Sequence, residues 1–115
     1  MKKFALFVFN GDPMCFIHVL LNALDMKVKG NEVKIIMEGA SVKLIPELMK
    51  PENPLNKLWE KVIKENLIEG ACRACLSKLG NLEDAKKQGL ILLDDMSGHP
   101  SILGYRDNGF EIITF

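Results

Sequence analysis

Cysteine is scarce in this chain of 115 residues, which has three cysteines and two histidines. An odd number of cysteines does not make the disulfide framework of a secreted domain, so we expect a reducing, cytoplasmic setting. One CxxC pair is present without a second CxxC or a closely spaced histidine pair, and one pair supplies only two ligands. We therefore assign no metal and no cofactor from spacing alone.

Net charge is also absent, because 15 basic residues balance 15 acidic ones. No bulk field therefore favours nucleic acid or an anionic membrane as a partner. The apolar run Phe4–Phe9 stops at Asn10 without a small-residue cleavage site, so it predicts a strand and not a signal peptide. No apolar run reaches the length of a membrane span, and repeats are lacking. We predict a single domain over residues 1–115.

Short apolar runs alternate with helical patterns along the chain. Continuous apolar runs, as opposed to alternating ones, are typical of strands that are covered on both faces. The predicted strands are Phe4–Phe9, Glu32–Met37, a stretch from Leu67 to Ala71, Leu90–Leu93 and Phe110–Phe115. This order predicts an α/β fold, a three-layer α/β/α sandwich with a five-stranded, mainly parallel sheet and right-handed crossovers.

Helix-start signals mark two of the connecting helices. Asp12 is suited to be an N-cap with Pro13 at the first helical position, which predicts a helix over 14–28. Asn53 with Pro54 predicts the start of an amphipathic helix that contains Trp59 as a core anchor. The helix over 14–28 carries apolar residues on more than one face, which indicates a subunit interface and hence a homo-oligomer.

The most informative motif is Cys72-Arg73-Ala74-Cys75, which follows the third strand and precedes a helix that Gly80 ends. A cysteine at a helix start meets free backbone N–H groups, and Arg73 adds a positive charge beside it. These features predict a lowered pKa and a nucleophilic thiolate at Cys72. Packing is the alternative reading, because free cysteines are often buried in cores.

Other polar residues stand where predicted strands end. In a parallel sheet the carboxyl ends of the strands share one edge, and ligands bind there. His99 lies in a loop at this edge and is a candidate proton shuttle next to the cysteines, although a water-exposed position before Pro100 is equally compatible with the sequence. The candidate substrate-binding residues are Asn10, Cys15, Glu38, Arg73 and Asp94.

The order of the strands, the apolar first helix, the Glu38-Gly39-Ala40 turn and the Ala71–Leu76 segment resemble the DsrE-like family of sulfur-relay proteins, including its TusD-type subunits. The resemblance implies that Cys72 accepts a persulfide sulfur from a protein donor and hands it to a protein acceptor. It also implies assembly into trimers or hexamers. A sulfurtransferase activity is therefore the leading expectation.

Two other functions are compatible with the same residues. Cys75 stands where many members of the resembled family have a small residue, so the pair could instead cycle between dithiol and disulfide. The order of the elements differs from that of thioredoxins, in which the CxxC motif follows an early strand. A third reading is an oligomeric module that binds a small molecule or a metal without catalysis.

Overall fold

The computed structural model describes residues 1–115. Five strands form its sheet: β1 (Lys3–Val8), β2 (Glu32–Met37), β3 (Ile68–Cys72), β4 (Leu92–Leu93) and β5 (Glu111–Thr114). The connecting helices are α1 (Pro13–Val28), α2 (Ile45–Leu48), α3 (Asn56–Lys64), α4 (Arg73–Leu79), α5 (Leu82–Lys87) and α6 (Ile102–Asp107). A 3₁₀ segment, Gly39–Leu44, links β2 to α2.

The sheet is parallel throughout, with the strand order β4-β3-β2-β1-β5. The chain moves outward from β1 to β4 with its helices on one face, and then returns across the other face to place β5 beside β1. Right-handed crossovers require this change of face when the direction of travel reverses. The predicted α/β fold with a five-stranded sheet is confirmed.

Most of the core lies between the sheet and α1 to α5. The largest fully buried side chains there include Trp59 of α3, Phe16 of α1 and Leu76 of α4. A smaller core on the opposite face joins Phe7 and Phe110 to Tyr105 of α6. Trp59 is thus a core anchor, as its place on the apolar face of an amphipathic helix predicts.

Two local predictions needed correction. The helix expected to begin at Pro54 begins at Asn56, because the Asn53 side chain accepts the Leu55 N–H at 2.8 Å and holds an extra turn before it. The strand expected over 90–93 forms only at Leu92–Leu93, both half-buried. β4 is the edge strand of the sheet, so it has one neighbour and little cover, which its apolar sequence does not reveal.

Strands β3 and β4 are followed by connections that run to opposite faces of the sheet. Adjacent strands with this property leave a crevice at their carboxyl ends, which is where parallel α/β sheets bind ligands. Cys72 ends β3, and the loop 94–101 leaves β4 beside it. No helix in the structure is long and apolar enough to span a membrane.

Candidate functional site: a cysteine, histidine and glutamate cluster

Cys72 is the junction between β3 and α4. Its backbone is extended, and its Sγ accepts the backbone N–H of Cys75 at 3.4 Å, so the thiol acts as the N-cap of α4. The side chain is fully buried. The CxxC pair therefore lies at a helix start at the end of a strand, as the sequence predicts.

Cys75 lies one helical turn further and is only half-buried. Its Sγ accepts the backbone N–H of Gly39 at 3.3 Å, from the turn that follows β2. Gly39 has a φ of 55°, and an added Cβ there would lie 3.2 Å from the Phe9 carbonyl oxygen. Glycine at this position thus allows the turn to approach both the end of β1 and the Cys75 sulfur.

His99 reaches the cysteines from a tight hairpin. Met96 and His99 exchange backbone hydrogen bonds of 2.7 and 2.9 Å, and the two residues between them, Ser97 and Gly98, both have positive φ. This is the geometry of a two-residue primed turn. The hairpin docks on α4 because the Ala74 N–H donates to the Gly98 carbonyl at 2.9 Å.

The docked hairpin brings the His99 ring onto both sulfurs. Its Nδ1 atom lies 3.1 Å from Cys72 Sγ and 4.0 Å from Cys75 Sγ. The Cys72 thiol also faces the Gly98 carbonyl oxygen at 3.7 Å. His99 is thus positioned to exchange a proton with either thiol, which fits the proton-shuttle role expected of it.

Glu38 completes the cluster from the end of β2. Its carboxylate lies 3.8 Å from His99 Nδ1, and its side chain is 9% exposed. Burial raises the pKa of this carboxyl group, while His99 and the Cys72 thiol act in the opposite direction. No lysine or arginine nitrogen approaches it within 4.0 Å. The ligand atoms of Glu38, Cys72, Cys75 and His99 all lie within 4.8 Å of one another.

The lowered pKa expected for Cys72 is wrong. Burial raises the pKa of this thiol to about 12, and the neighbouring Cys75 and Glu38 add to the effect, against the lowering contribution of the Cys75 N–H. Arg73 gives no compensation, because it makes no hydrogen bond to either sulfur and its guanidinium pairs instead with Asp94 at 3.6 Å. Desolvation outweighs the helix-start effect at this thiol.

The remaining predicted site residues lie around the cluster or away from it. The Arg73–Asp94 pair spans the crevice between α4 and the end of β4, with both side chains half-exposed. Asn10 accepts the Asp12 N–H at 2.8 Å and so supports the start of α1. Cys15 is half-buried in the first turn of α1 and is not part of the cluster. The structure therefore unites Glu38, Cys72, Cys75 and His99, and leaves Asn10 and Cys15 outside.

A second polar site, on the α6 face of the sheet, was not anticipated from the sequence. The Tyr105 hydroxyl donates to the Glu69 carboxylate at 2.8 Å, and Lys34 pairs with the same carboxylate at 3.4 Å. The cleft there has a volume of about 610 Å³ and does not include the cysteines. These three residues come from β2, β3 and α6, so no local motif could have indicated their proximity.

Comparison with known proteins gives relatives without a described function. No protein-family model matches the chain. The uncharacterized protein MJ0733 of Methanocaldococcus jannaschii is 41% identical over 96 residues, which cover 84% of this chain and 76% of that protein. An uncharacterized protein of Archaeoglobus fulgidus is 45% identical over 38 residues, which cover 33% of this chain and 62% of that protein.

A solved structure has the same fold. The conserved protein of unknown function BT1422 from Bacteroides thetaiotaomicron superposes with a TM-score of 0.69 at 20% identity, covering 98% of this chain and 95% of that one. At this level of identity the likeness concerns the arrangement of helices and strands alone.

Proposed function

We propose that this chain, which belongs to the same family as MJ0733, carries sulfane sulfur through the Cys72–Cys75 pair. The observation that supports the proposal is a pair of thiols at a strand-exit crevice, each sulfur accepting a backbone N–H and each lying within 4.0 Å of one imidazole nitrogen. Hydrogen-bonded thiols next to a proton acceptor are what sulfur transfer requires.

In this proposal Cys75 receives the sulfur. The resemblance to the DsrE-like family instead implied Cys72 for this role. Cys75 is half-buried, whereas Cys72 is fully enclosed between α4 and the hairpin of His99. An incoming persulfide meets the Cys75 sulfur first. The Gly39 N–H donates a hydrogen bond to the Cys75 sulfur at 3.3 Å and holds it in place for the attack.

The transfer step is redox-neutral. The Cys75 thiol gives its proton to His99, and the resulting thiolate attacks the outer sulfur of a donor persulfide, R–S–SH. The sulfur–sulfur bond of the donor breaks, its thiolate leaves with the proton that His99 returns, and Cys75 holds the new sulfur–sulfur bond as Cys75–S–SH. Handing the sulfur to an acceptor thiol is the reverse step with a different partner.

Burial of the Cys72 thiol would slow the collapse of this persulfide to a disulfide. Collapse requires a Cys72 thiolate to attack Cys75, form a disulfide and release HS⁻. The thiol is kept protonated by burial and faces the Gly98 carbonyl, so the attacking form is rare at neutral pH. Cys72 then remains a thiol at the base of the site while Cys75 carries the sulfur.

Intact-mass measurement tests the proposal. Reduced protein, freed of metal with a chelator, is exposed to glutathione persulfide. We expect a gain of one sulfur atom in the wild type and in Cys15→Ser, which is the matched cysteine outside the cluster, and no gain in Cys75→Ser. A loss of two hydrogens without added sulfur would contradict the proposal and favour the dithiol–disulfide function.

A further inference from the structure

We propose that the reduced protein also binds one zinc-class divalent ion through Cys72, Cys75, His99 and Glu38. The site contains two sulfurs, one imidazole nitrogen and one carboxylate oxygen, all within 4.8 Å of one another. Four protein ligands of these types form a closed tetrahedral zinc site. The proposal goes beyond sulfur transfer and does not depend on it.

The three distances from His99 Nδ1 to the other ligand atoms are close to those of a tetrahedral site. Bonds of about 2.0 to 2.3 Å place tetrahedral ligands roughly 3.3 to 3.8 Å apart. His99 Nδ1 lies 3.1 Å from Cys72 Sγ, 4.0 Å from Cys75 Sγ and 3.8 Å from the Glu38 carboxylate. Shifts of a few tenths of an ångström would bring these three separations into the expected range.

The donor set selects the class of metal. Two sulfur ligands exclude Mg²⁺ and Ca²⁺, which are bound through oxygen. Thiolate and imidazole together favour Zn²⁺ and its close analogues, and Co²⁺ occupies such sites with the same geometry. A closed set of four protein ligands matches a structural or regulatory ion more closely than a catalytic one, which keeps an open position.

The ligands are held in place before an ion arrives. They come from three consecutive strand ends: Glu38 from β2, the two cysteines around the start of α4 after β3, and His99 from the hairpin after β4. Backbone N–H groups from Gly39 and Cys75 donate to the two sulfurs. Such outer contacts orient the ligands and stabilise their anionic forms.

The charge around the cluster leaves room for a cation. Glu38 is buried beside two thiols, and the one side-chain nitrogen within 4.0 Å of its carboxylate belongs to the imidazole of His99. Arg73, the nearest arginine in the sequence, is paired with Asp94. Buried carboxylates are normally paired or coordinate a metal, and a divalent ion would supply the missing positive charge.

Metal binding and sulfur transfer would exclude each other, because both use the Cys75 sulfur. The ion would occupy the reduced protein and protect both thiols. A persulfide or disulfide at the pair would remove the sulfur ligands and release the ion. The site would thereby couple the metal content of the protein to its sulfur state.

Titration of the reduced protein with Co²⁺ and then Zn²⁺ tests the site. We expect one Co²⁺ per chain with a thiolate-to-cobalt charge-transfer band, which Zn²⁺ removes by displacement. Cys75→Ser should weaken the band, because one of the two sulfur ligands is lost, and Glu38→Gln and His99→Gln should each weaken Zn²⁺ binding by about tenfold or more. Cys15→Ser and His18→Gln, which change a cysteine and a histidine outside the cluster, should bind like the wild type.

The proposal is overturned if the wild type takes up less than one ion per chain while its circular dichroism spectrum shows that it is folded. It is also overturned if the charge-transfer band of Cys75→Ser is as strong as that of the wild type, or if the band is lost in Cys15→Ser. Sulfur uptake is measured separately, in chelator-treated protein, so failure to bind metal leaves the sulfur-transfer result standing and the reverse also holds. Glu38→Gln retains the size of the side chain and tests the site without disturbing either cysteine.

Discussion

The Sγ atom of Cys72 and the Nδ1 atom of His99 lie 3.1 Å apart although the two residues are 27 positions apart in the sequence. The contact depends on the hairpin of residues 96–99. A hydrogen bond from the Ala74 N–H to the Gly98 carbonyl holds this hairpin against α4. The hairpin both supplies the imidazole and covers the Cys72 sulfur. One loop therefore sets both the position of the imidazole and the burial of the Cys72 sulfur.

We expect Cys75 to be alkylated faster than Cys72 near neutral pH. Cys72 is 0% exposed, and burial raises the pKa of its thiol, so that little of it is thiolate near neutral pH. Competitive labelling with peptide mapping measures both rates. In the unfolded protein the two rates should become similar, and faster labelling of Cys72 in the folded protein would refute the assignment of Cys75 as the entry thiol.

Substitution of Gly98 by alanine should displace the hairpin from the cluster in addition to straining the backbone. Gly98 has a φ of 88°, and an added Cβ would lie 3.3 Å from the Ala74 Cβ, so the hairpin must move away from α4. Gly30 is a matched control, with a φ of 89° and nothing within 4 Å of an added Cβ. Both variants should lose about 1 kcal/mol of stability from backbone strain.

The two glycine variants should then differ at the cluster. We expect weaker Zn²⁺ binding and slower sulfur uptake in Gly98→Ala, and wild-type values in Gly30→Ala. Urea unfolding gives the free energy of unfolding for each, so that the site effect is compared at similar stability. Equal metal affinity in both variants would show that the position of the hairpin does not control the site.

Stability should fall with increasing pH in the alkaline range through Tyr105. Burial raises the pKa of Tyr105. The Glu69 carboxylate, which accepts a hydrogen bond from the Tyr105 hydroxyl, raises this pKa further. The folded state therefore keeps this proton where the unfolded chain begins to lose it, near pH 10. The contribution is fully present below the unfolded pKa and is lost as pH rises from there towards the folded pKa.

The variant Tyr105→Phe isolates this effect. Urea midpoints measured from about pH 9 to about pH 11, one unit on either side of the ordinary tyrosine pKa, should decline more steeply for the wild type than for the variant. Lysine titration is common to both proteins and cancels in the comparison. Parallel curves would indicate that Tyr105 ionises alike in the folded and unfolded states.

We expect a homo-oligomer, with a trimer as the first expectation and a hexamer as the next. Met14, Leu21 and Val28 recur at seven-residue intervals along α1 and are 76%, 47% and 81% exposed. An apolar stripe of this kind on a small domain is typical of an interface. Light scattering at micromolar concentration measures the mass, and Leu21→Lys should lower it if α1 forms the contact. A monomeric wild type would exclude this assembly.

Much of the site is predictable from the sequence because parallel strands end at one edge. The positions of Cys72, Glu38 and His99 after successive strands are enough to predict their proximity. The direction of the pKa shift at Cys72 cannot be predicted from the sequence, because it depends on how completely the hairpin covers the sulfur. The position of Cys15 outside the cluster is also not predictable, since the direction in which a first-turn side chain points depends on the packing of α1 against the sheet.

Location of the added sulfur by peptide mapping tests the central claim most directly. Trypsin cleaves after Arg73, so Cys72 lies in the peptide 65–73 and Cys75 in the peptide 74–78, while Cys15 lies in the peptide 4–27. After exposure of the reduced, chelator-treated wild type to glutathione persulfide and trapping by alkylation, we predict the extra sulfur in the peptide 74–78. An extra sulfur in the peptide 65–73 or 4–27, or in none of the three, would contradict the account.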